Sequence, residues 1–297
     1  MMTFEEKLEF YTSYINKNLD GYIKDLDCVE NTIYKAVRYS LLSNGKRIRP
    51  ILALATGEMF EAKKEDVLPF ACAIEMIHTY SLIHDDLPAM DNDDYRRGRL
   101  TNHKVYGEGI AVLAGDALLN SAFELMSNQI INKIPDNYRE LLAMNYIVNS
   151  SGINGMIAGQ VIDIESQGKD ISLAMLEYMH KKKTGCLISA SILAGAHIGK
   201  ANSEEIESLN KFSQNLGIAF QIKDDILDVI GNKEKMGKDT GKDKENNKAT
   251  FVSVLGLEKS ISALKQTTKE AIRNLDIFGK RAEFLVDMSN YLLKRTF

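Results

Sequence analysis

Glu75-Met-Ile-His-Thr-Tyr-Ser-Leu-Ile-His-Asp-Asp-Leu-Pro-Ala-Met-Asp91 is an apolar run that ends in a knot of carboxylates. At about 100° per residue, Glu75, His78, Ser81 and Asp85 fall along one stripe, with Ile74, Ile77 and Tyr80 on other faces. A polar stripe in an oily helix calls for a partner. One lies about 140 residues on, in Gly217-Ile-Ala-Phe-Gln-Ile-Lys-Asp-Asp-Ile-Leu-Asp228, where Gly217, Gln221, Asp224 or Asp225, and Asp228 share a face. Each stretch offers an acidic pair, Asp85-Asp86 or Asp224-Asp225, and one further aspartate, Asp91 or Asp228. Carboxylates on apolar helices repel one another and are costly to desolvate, so they need cations. Oxygen ligands at this density suit a hard divalent ion, magnesium above all when phosphates complete its shell. A solvated acidic face would explain one such pair; two, each flanked by large aliphatic side chains, argue for a cleft with acidic walls.

The chain has 297 residues, 44% hydrophobic and 26% charged, which fits a soluble globule with one large helical domain spanning 1–297. Its net charge of -4 gives no bulk attraction to nucleic acid, so an anion must be bound locally. Cys28, Cys72 and Cys186 are far apart, odd in number and without CxxC spacing, and read as reduced core residues. The start, Met-Met-Thr-Phe-Glu-Glu-Lys, lacks the basic and apolar regions of a signal peptide, and no uninterrupted apolar run reaches membrane-spanning length. A cytoplasmic protein without a membrane span is expected.

Helical spacing recurs along the chain and sustained alternation does not, so the fold class is all-α. Thr3 to Leu19 and Asn31 to Leu42 are predicted helices, the second stopped by Ser43-Asn44-Gly45. Gly45-Lys-Arg-Ile-Arg-Pro50 follows, and because Arg49 precedes a proline the next helix is expected near Pro50. Two arginines with forked donors beside a helix start make this turn an anion site, with His78 within reach. Pro88 should end the Asp85 helix, leaving a flexible lip that carries Asp91, Arg96 and Arg97. Gly109 to Gln129, Asn137 to Ser151 and Gly152 to Ser166 read as helices, the last with Gln160 and Asp163 on one face. Ser172 to Ile198 is long and interrupted by His180-Lys-Lys-Lys-Thr-Gly185, where Lys183-Thr184-Gly185 is expected to kink inward. Ser203 begins the helix bearing Asp224; residues 231–249 read as a polar loop whose Lys238 and Lys248 would close over an anion. Glu258 to Leu275 and Gly279 to Lys294 finish the chain.

Acidic walls for magnesium with arginines and lysines at the rim describe a diphosphate site. Neither GxxxxGK[ST] nor GxGxxG occurs, which removes the P-loop and Rossmann readings. Apolar faces below the aspartates would hold a hydrocarbon tail, so an allylic diphosphate fits both ends. The ordered set Gly45-Lys-Arg-Ile-Arg-Pro50, Asp85-Asp-Leu-Pro-Ala-Met-Asp91 with Arg96-Arg97, Lys183-Thr184-Gly185, and Gln221 with Asp224-Asp-Ile-Leu-Asp228 closely resembles the motifs of trans-prenyl diphosphate synthases. The inserted Pro88-Ala89 is similar to bacterial farnesyl and plant-type geranylgeranyl diphosphate synthases.

That resemblance implies an isoprenoid-synthase bundle, a homodimer, and magnesium, three ions with substrates bound, on Asp85, Asp86, Asp91, Asp224 and Asp228. It implies that Arg96, Lys183 and Lys238 help draw the diphosphate from dimethylallyl or geranyl diphosphate. Lys46, Arg49, His78 and Arg97 would hold isopentenyl diphosphate, Lys248 would cover the bound anion, and Thr184, Gln221 and Asp225 would complete the catalytic wall. Two diphosphates bring roughly six negative charges, which three divalent ions balance. A terpene cyclase would share the aspartates but lack the Gly45 to Pro50 site. A di-metal carboxylate bundle would use Glu75-x-x-His78 and Glu177-x-x-His180 but leave both acidic pairs idle. A partner subunit without activity should have lost the aspartates. Product length is expected to be set by Tyr80, with small Ser81 beside it, about 7.5 and 6 Å back from Asp85 along the helix. In the family it resembles, an aromatic residue there accompanies a fifteen-carbon product, so the resemblance implies farnesyl diphosphate, with geranylgeranyl the alternative.

Overall fold

Thr3 opens the first helix with reciprocal bonds: its hydroxyl accepts from the Glu6 N–H at 3.2 Å and the Glu6 carboxylate accepts from the Thr3 N–H at 2.7 Å. The computed structural model describes residues 2–24, 28–230 and 248–294. Within them the chain is all-α, as expected: α1 (Phe4–Tyr22), α2 (Asn31–Leu41), α3 (Ile48–Met59), α4 (Lys64–Asp85), α5 (Asn102–Tyr106), α6 (Glu108–Ile131), α7 (Tyr138–Ser151) and α8 (Met156–Ser166). After these come α9 (Leu173–His180), α10 (Cys186–Ile198), α11 (Ser203–Ile230), α12 (Phe251–Leu255), α13 (Leu257–Arg273) and α14 (Glu283–Lys294).

α4 is buried over most of its length and packs along α6; α10 is buried on nearly every residue and packs against α3, α7 and α11. These contacts form the main core. A smaller cluster, including Met179, Ala219, Ile222, Phe251 and Leu264, ties α9 and α11 to α12 and α13. By length and composition alone, α4 and α6 are each apolar enough to cross a bilayer. For α4 the reason is packing, since 78% of its most apolar window is buried inside the protein. For α6 the corresponding share is 33%, because Val112 and Leu113 lie on its outer side.

Two local expectations need correction and a third is made specific. The helix after the basic turn begins at Ile48, not Pro50, since Arg47 takes a left-handed φ of 49° and caps it; Pro50 falls in the first turn, where its missing N–H costs nothing. The lip after Pro88 is a tight antiparallel hairpin pairing β1 (Tyr95–Arg96) with β2 (Arg99–Leu100), turned by positive φ at Arg97 and Gly98. The expected helix from Ser172 to Ile198 is split by a π-turn at Lys181–Gly185, the inward kink anticipated from Lys183-Thr184-Gly185. Lys238 and most of the 231–249 loop lie outside the described residues.

Candidate active site

The first aspartate cluster forms where α4 stops. Its last residue is Asp85, and the chain then folds back: the Asp91 N–H donates to the Asp85 carbonyl at 2.9 Å and the Asp93 N–H to the Asp86 carbonyl at 3.2 Å. Half-buried Asp85 has a carboxyl pushed above the usual carboxylate range by burial, with Asp91 and Asp86 adding repulsion while Lys183 and Arg96 oppose it. Asp86 turns the other way. It is 3% exposed and its Oδ1 accepts from the Arg96 guanidinium, Nε at 2.9 Å, while Arg96 Nη2 also reaches Asp93 at 3.2 Å. One oxygen of Asp86 thus anchors the half-buried Arg96 guanidinium. Asp91 receives Lys248 Nζ at 2.9 Å, which brings the end of the polar loop against the first cluster, on the side where Lys248 was expected to act.

The second cluster lies inside α11, with half-buried Asp224 and Asp228 one turn apart. Asp225, 2% exposed, faces inward and accepts from Gln221 Nε2 at 2.8 Å and from the Phe251 N–H at 2.7 Å. Both of its oxygens thus hold protein groups, so its place in the catalytic set is indirect. Gln221 in turn accepts from the Thr184 hydroxyl at 3.1 Å. One chain of bonds runs from the π-turn through α11 to the start of α12.

That π-turn is clamped from two sides. A Cβ on Gly159 of α8 would fall 2.1 Å from the Lys183 nitrogen, and one on Gly217 of α11 would fall 2.8 Å from Gly185 Cα. Only glycine admits such approaches. Lys183, emerging from the clamp, pairs with Asp163 at 2.7 Å. Burial alone would raise the Asp163 carboxyl, but the Lys183 ammonium outweighs it and holds Asp163 below its ordinary value.

At the basic turn the structure revises the inventory of donors. Arg47 is fully engaged: it pairs with buried Glu75 at 2.5 Å and donates to the Leu41 and Ser43 carbonyls at 2.8 and 3.0 Å and to Asn16 at 2.8 Å. So Arg47 braces the left-handed turn, and of the two arginines Arg49 is the one left for an anion. Arg49 Nη1 lies 3.4 Å from His78 Nε2, and its Nε is buried with no partner among the described residues. Burial first, then four surrounding arginines, hold His78 well below its ordinary pKa, so it is neutral. Arg97 lies over Gly45 and donates to Ser43 Oγ at 3.1 Å, closing the same patch from the hairpin, with half-buried Lys46 beside it. Arg49 and Asp224 lie near enough to act on each other's charge, as do Lys183 and Asp85.

Tyr80 is 8% exposed and meets His84 edge-on at 5.7 Å; His84 lies against Gly115 of α6, so this face of α4 looks toward α6. Ser81 takes the Asp85 side and donates to the His78 carbonyl at 2.9 Å. The di-metal alternative does not survive: Glu75 is tied to Arg47, and Glu177 is exposed while His180 points into the protein. Asp163 and Asp93 were not among the expected site residues. Asp163 had a signal, since it shares a helix with Gly159; Asp93 sits in an acidic run, Asp91-Asn-Asp-Asp94, whose partners only the hairpin defines.

Comparison with known proteins agrees with this geometry. Residues 30–283 match the polyprenyl synthetase family. The chain is 43% identical over 290 residues to a farnesyl diphosphate synthase of Geobacillus stearothermophilus, covering 97% of each. It is 46% identical to a geranylgeranyl diphosphate synthase of Cyanophora paradoxa, over 89% of this chain and 87% of the relative. Among solved structures, a geranyltransferase of Helicobacter pylori complexed with magnesium and isoprenyl diphosphate superposes with a TM-score of 0.85 at 34% identity, over 99% of this chain and 97% of that one. The chain belongs to the polyprenyl synthetase family and is a short-chain trans-prenyltransferase.

Proposed function

We propose that the enzyme is a farnesyl diphosphate synthase, joining isopentenyl diphosphate to dimethylallyl and then geranyl diphosphate. The observation that carries the fifteen-carbon product is Tyr80, a buried ring about 7.5 Å behind Asp85 on the face of α4 toward α6. A tail growing away from the acidic wall between these helices meets that ring.

Magnesium fits the residues present. Asp85, Asp91, Asp224 and Asp228 offer oxygen donors only, and no three ligating side chains among the described residues form a closed cage. One or two carboxylates per ion, with diphosphate oxygens completing the shell, is how magnesium is held. Bound there, it supplies charge that stabilises the departing diphosphate. Arg96 and Lys183 add fixed positive charge at the same end, and Lys248, released from Asp91, covers it. Lys46, Arg49, Arg97 and neutral His78 hold the diphosphate of isopentenyl diphosphate opposite. The Thr184 and Gln221 dipoles lie where the allylic cation develops, and the apolar faces of α4 and α6 keep water from it.

The same reading has one domain and a homodimer covering the apolar outer side of α6 around Val112 and Leu113; sedimentation as a monomer would remove the dimer. It also has a cytoplasmic enzyme without a membrane span, against which recovery in the membrane fraction would count. The decisive experiment is chain-length analysis of products made from labelled isopentenyl diphosphate. Wild type should stop at fifteen carbons and Tyr80→Ala should run to twenty or more at a similar total rate. A wild-type product of twenty carbons, or a variant still stopping at fifteen, overturns the assignment.

A further inference from the structure

Between α8, the π-turn, α11 and the approach to α12 lies a cavity of about 90 Å³ whose walls include Asp163, Lys183, Gln221, Asp225 and Lys248, with His180 on its lining. The imidazole is 6% exposed and lies nearly parallel to the Phe251 ring at 5.5 Å. Neither Nδ1 nor Nε2 has a hydrogen-bond partner among the described residues. Buried polar groups are bonded to something, and a ring with two unpaired nitrogens beside a polar cavity calls for water. A water molecule takes about 30 Å³ of liquid and wants two to four polar partners; this cavity has room for a few and supplies those partners.

We propose that His180 is a positioning residue, hydrogen-bonded through water in this cavity to the Asp163 carboxylate, and that it thereby fixes the Asp163–Lys183 pair that aims the Lys183 ammonium at the departing diphosphate. The backbone supports the link. His180 stands three residues before Lys183, at the entry to the clamped π-turn. Phe251, on which its ring stacks, is held through its N–H by Asp225, so ring, turn and α12 form one block. Asp163 and Lys183 are the two charges acting on the imidazole, and burial pushes its pKa down to about 4. It is therefore neutral in the working enzyme, with one nitrogen to donate and one to accept.

The competing role is packing alone, and His180→Phe separates the two because it keeps a ring against Phe251 while removing both nitrogens. The inference rests on transferase activity and not on product length, so total incorporation of labelled isopentenyl diphosphate is measured apart from chain length. Should wild type make a twenty-carbon product, the farnesyl assignment falls and this test is unaffected. His180→Phe is expected to keep its far-ultraviolet spectrum while kcat drops about ten- to a hundredfold and KM for isopentenyl diphosphate holds. His180→Gln, which again offers a donor and an acceptor, should recover most of the loss. In an Asp163→Ala background the same His180→Phe change should cost no more than about twofold, since the pair it acts through is gone. Wild-type kcat in His180→Phe overturns the proposal, as does an undiminished loss in the Asp163→Ala background. Should His180→Phe not fold, a high-resolution crystal structure of the wild type decides: water bridging His180 to Asp163 upholds the role and a dry cavity ends it.

Discussion

Each aspartate cluster is an acidic pair followed by a third aspartate, yet α4 ends inside the first and α11 runs straight through the second. In α11 the helix itself sets the spacing, with Asp224 and Asp228 one turn apart. In α4 the helix stops at Asp85, Pro88 prevents its continuation, and a loop returns Asp91 to the helix end through its bond to the Asp85 carbonyl. The doublets nonetheless divide their labour alike. Successive helical residues point about 100° apart, so the first aspartate faces the cleft and the second faces the protein. Asp86 anchors Arg96, and Asp225 anchors Gln221 and the start of α12. On the proposed function, an acidic pair here is one ligand and one brace.

The sharpest way to break that comparison is to treat the two members of each pair alike and find no difference. Asp85→Ala and Asp224→Ala should each lower turnover by at least about a thousandfold with the fold intact, because each removes charge stabilisation specific to the departing diphosphate. Steady-state assay in excess magnesium checks this; a rate within tenfold of wild type for either variant would end the proposed division. Asp225→Ala should act on stability first. It leaves the Phe251 N–H and the Gln221 amide without their buried acceptor, at a cost of about 2–4 kcal/mol in denaturant unfolding. If Asp224→Ala unfolds as easily as Asp225→Ala, the distinction between ligand and brace is wrong.

How much of this was legible in the chain follows the same division. Residues expected at the cleft stood out, since an aspartate amid leucines and isoleucines has few explanations, and Asp85, Asp224, Arg49 and Lys183 are each half-buried. Bracing partners did not. Arg47 looked like a second anion donor because sequence shows the charge and hides the partner; only the bundle brings Glu75 to it across 28 residues. The helix start moved from Pro50 to Ile48 for a similar reason, as that pairing steadies a left-handed Arg47 which local preference disfavours. The hairpin at Arg96 was read as a loose lip because two-residue strands leave no periodicity to detect. Gly159 and Gly217 were visible, but what presses against them was not.

The smallest expected effect tests the comparison from the opposite side, in the ligand-free protein. Burial, then repulsion from Asp91 and Asp86, raises the Asp85 carboxyl above its unfolded value. For a group raised on folding, the stabilising contribution is fully present below the unfolded pKa and is lost as pH rises through the folded one. At neutral pH the ionised Asp85 therefore weakens the empty fold. Asp85→Asn keeps the shape and removes the charge, so it should stabilise the ligand-free protein by about 1 kcal/mol at pH 7, while abolishing turnover. The gain should shrink as pH falls into the ordinary carboxylate range, where wild-type Asp85 protonates too. Added magnesium with a non-reactive diphosphate should reverse the order, because the wild type then gains ligand-linked stability that the variant cannot. Thermal melts at two pH values, with and without those ligands, read all three effects. An Asp85→Asn protein no more stable than wild type when empty would mean that the cleft already neutralises Asp85, and that this acid, like Asp86 and Asp225, serves as a brace.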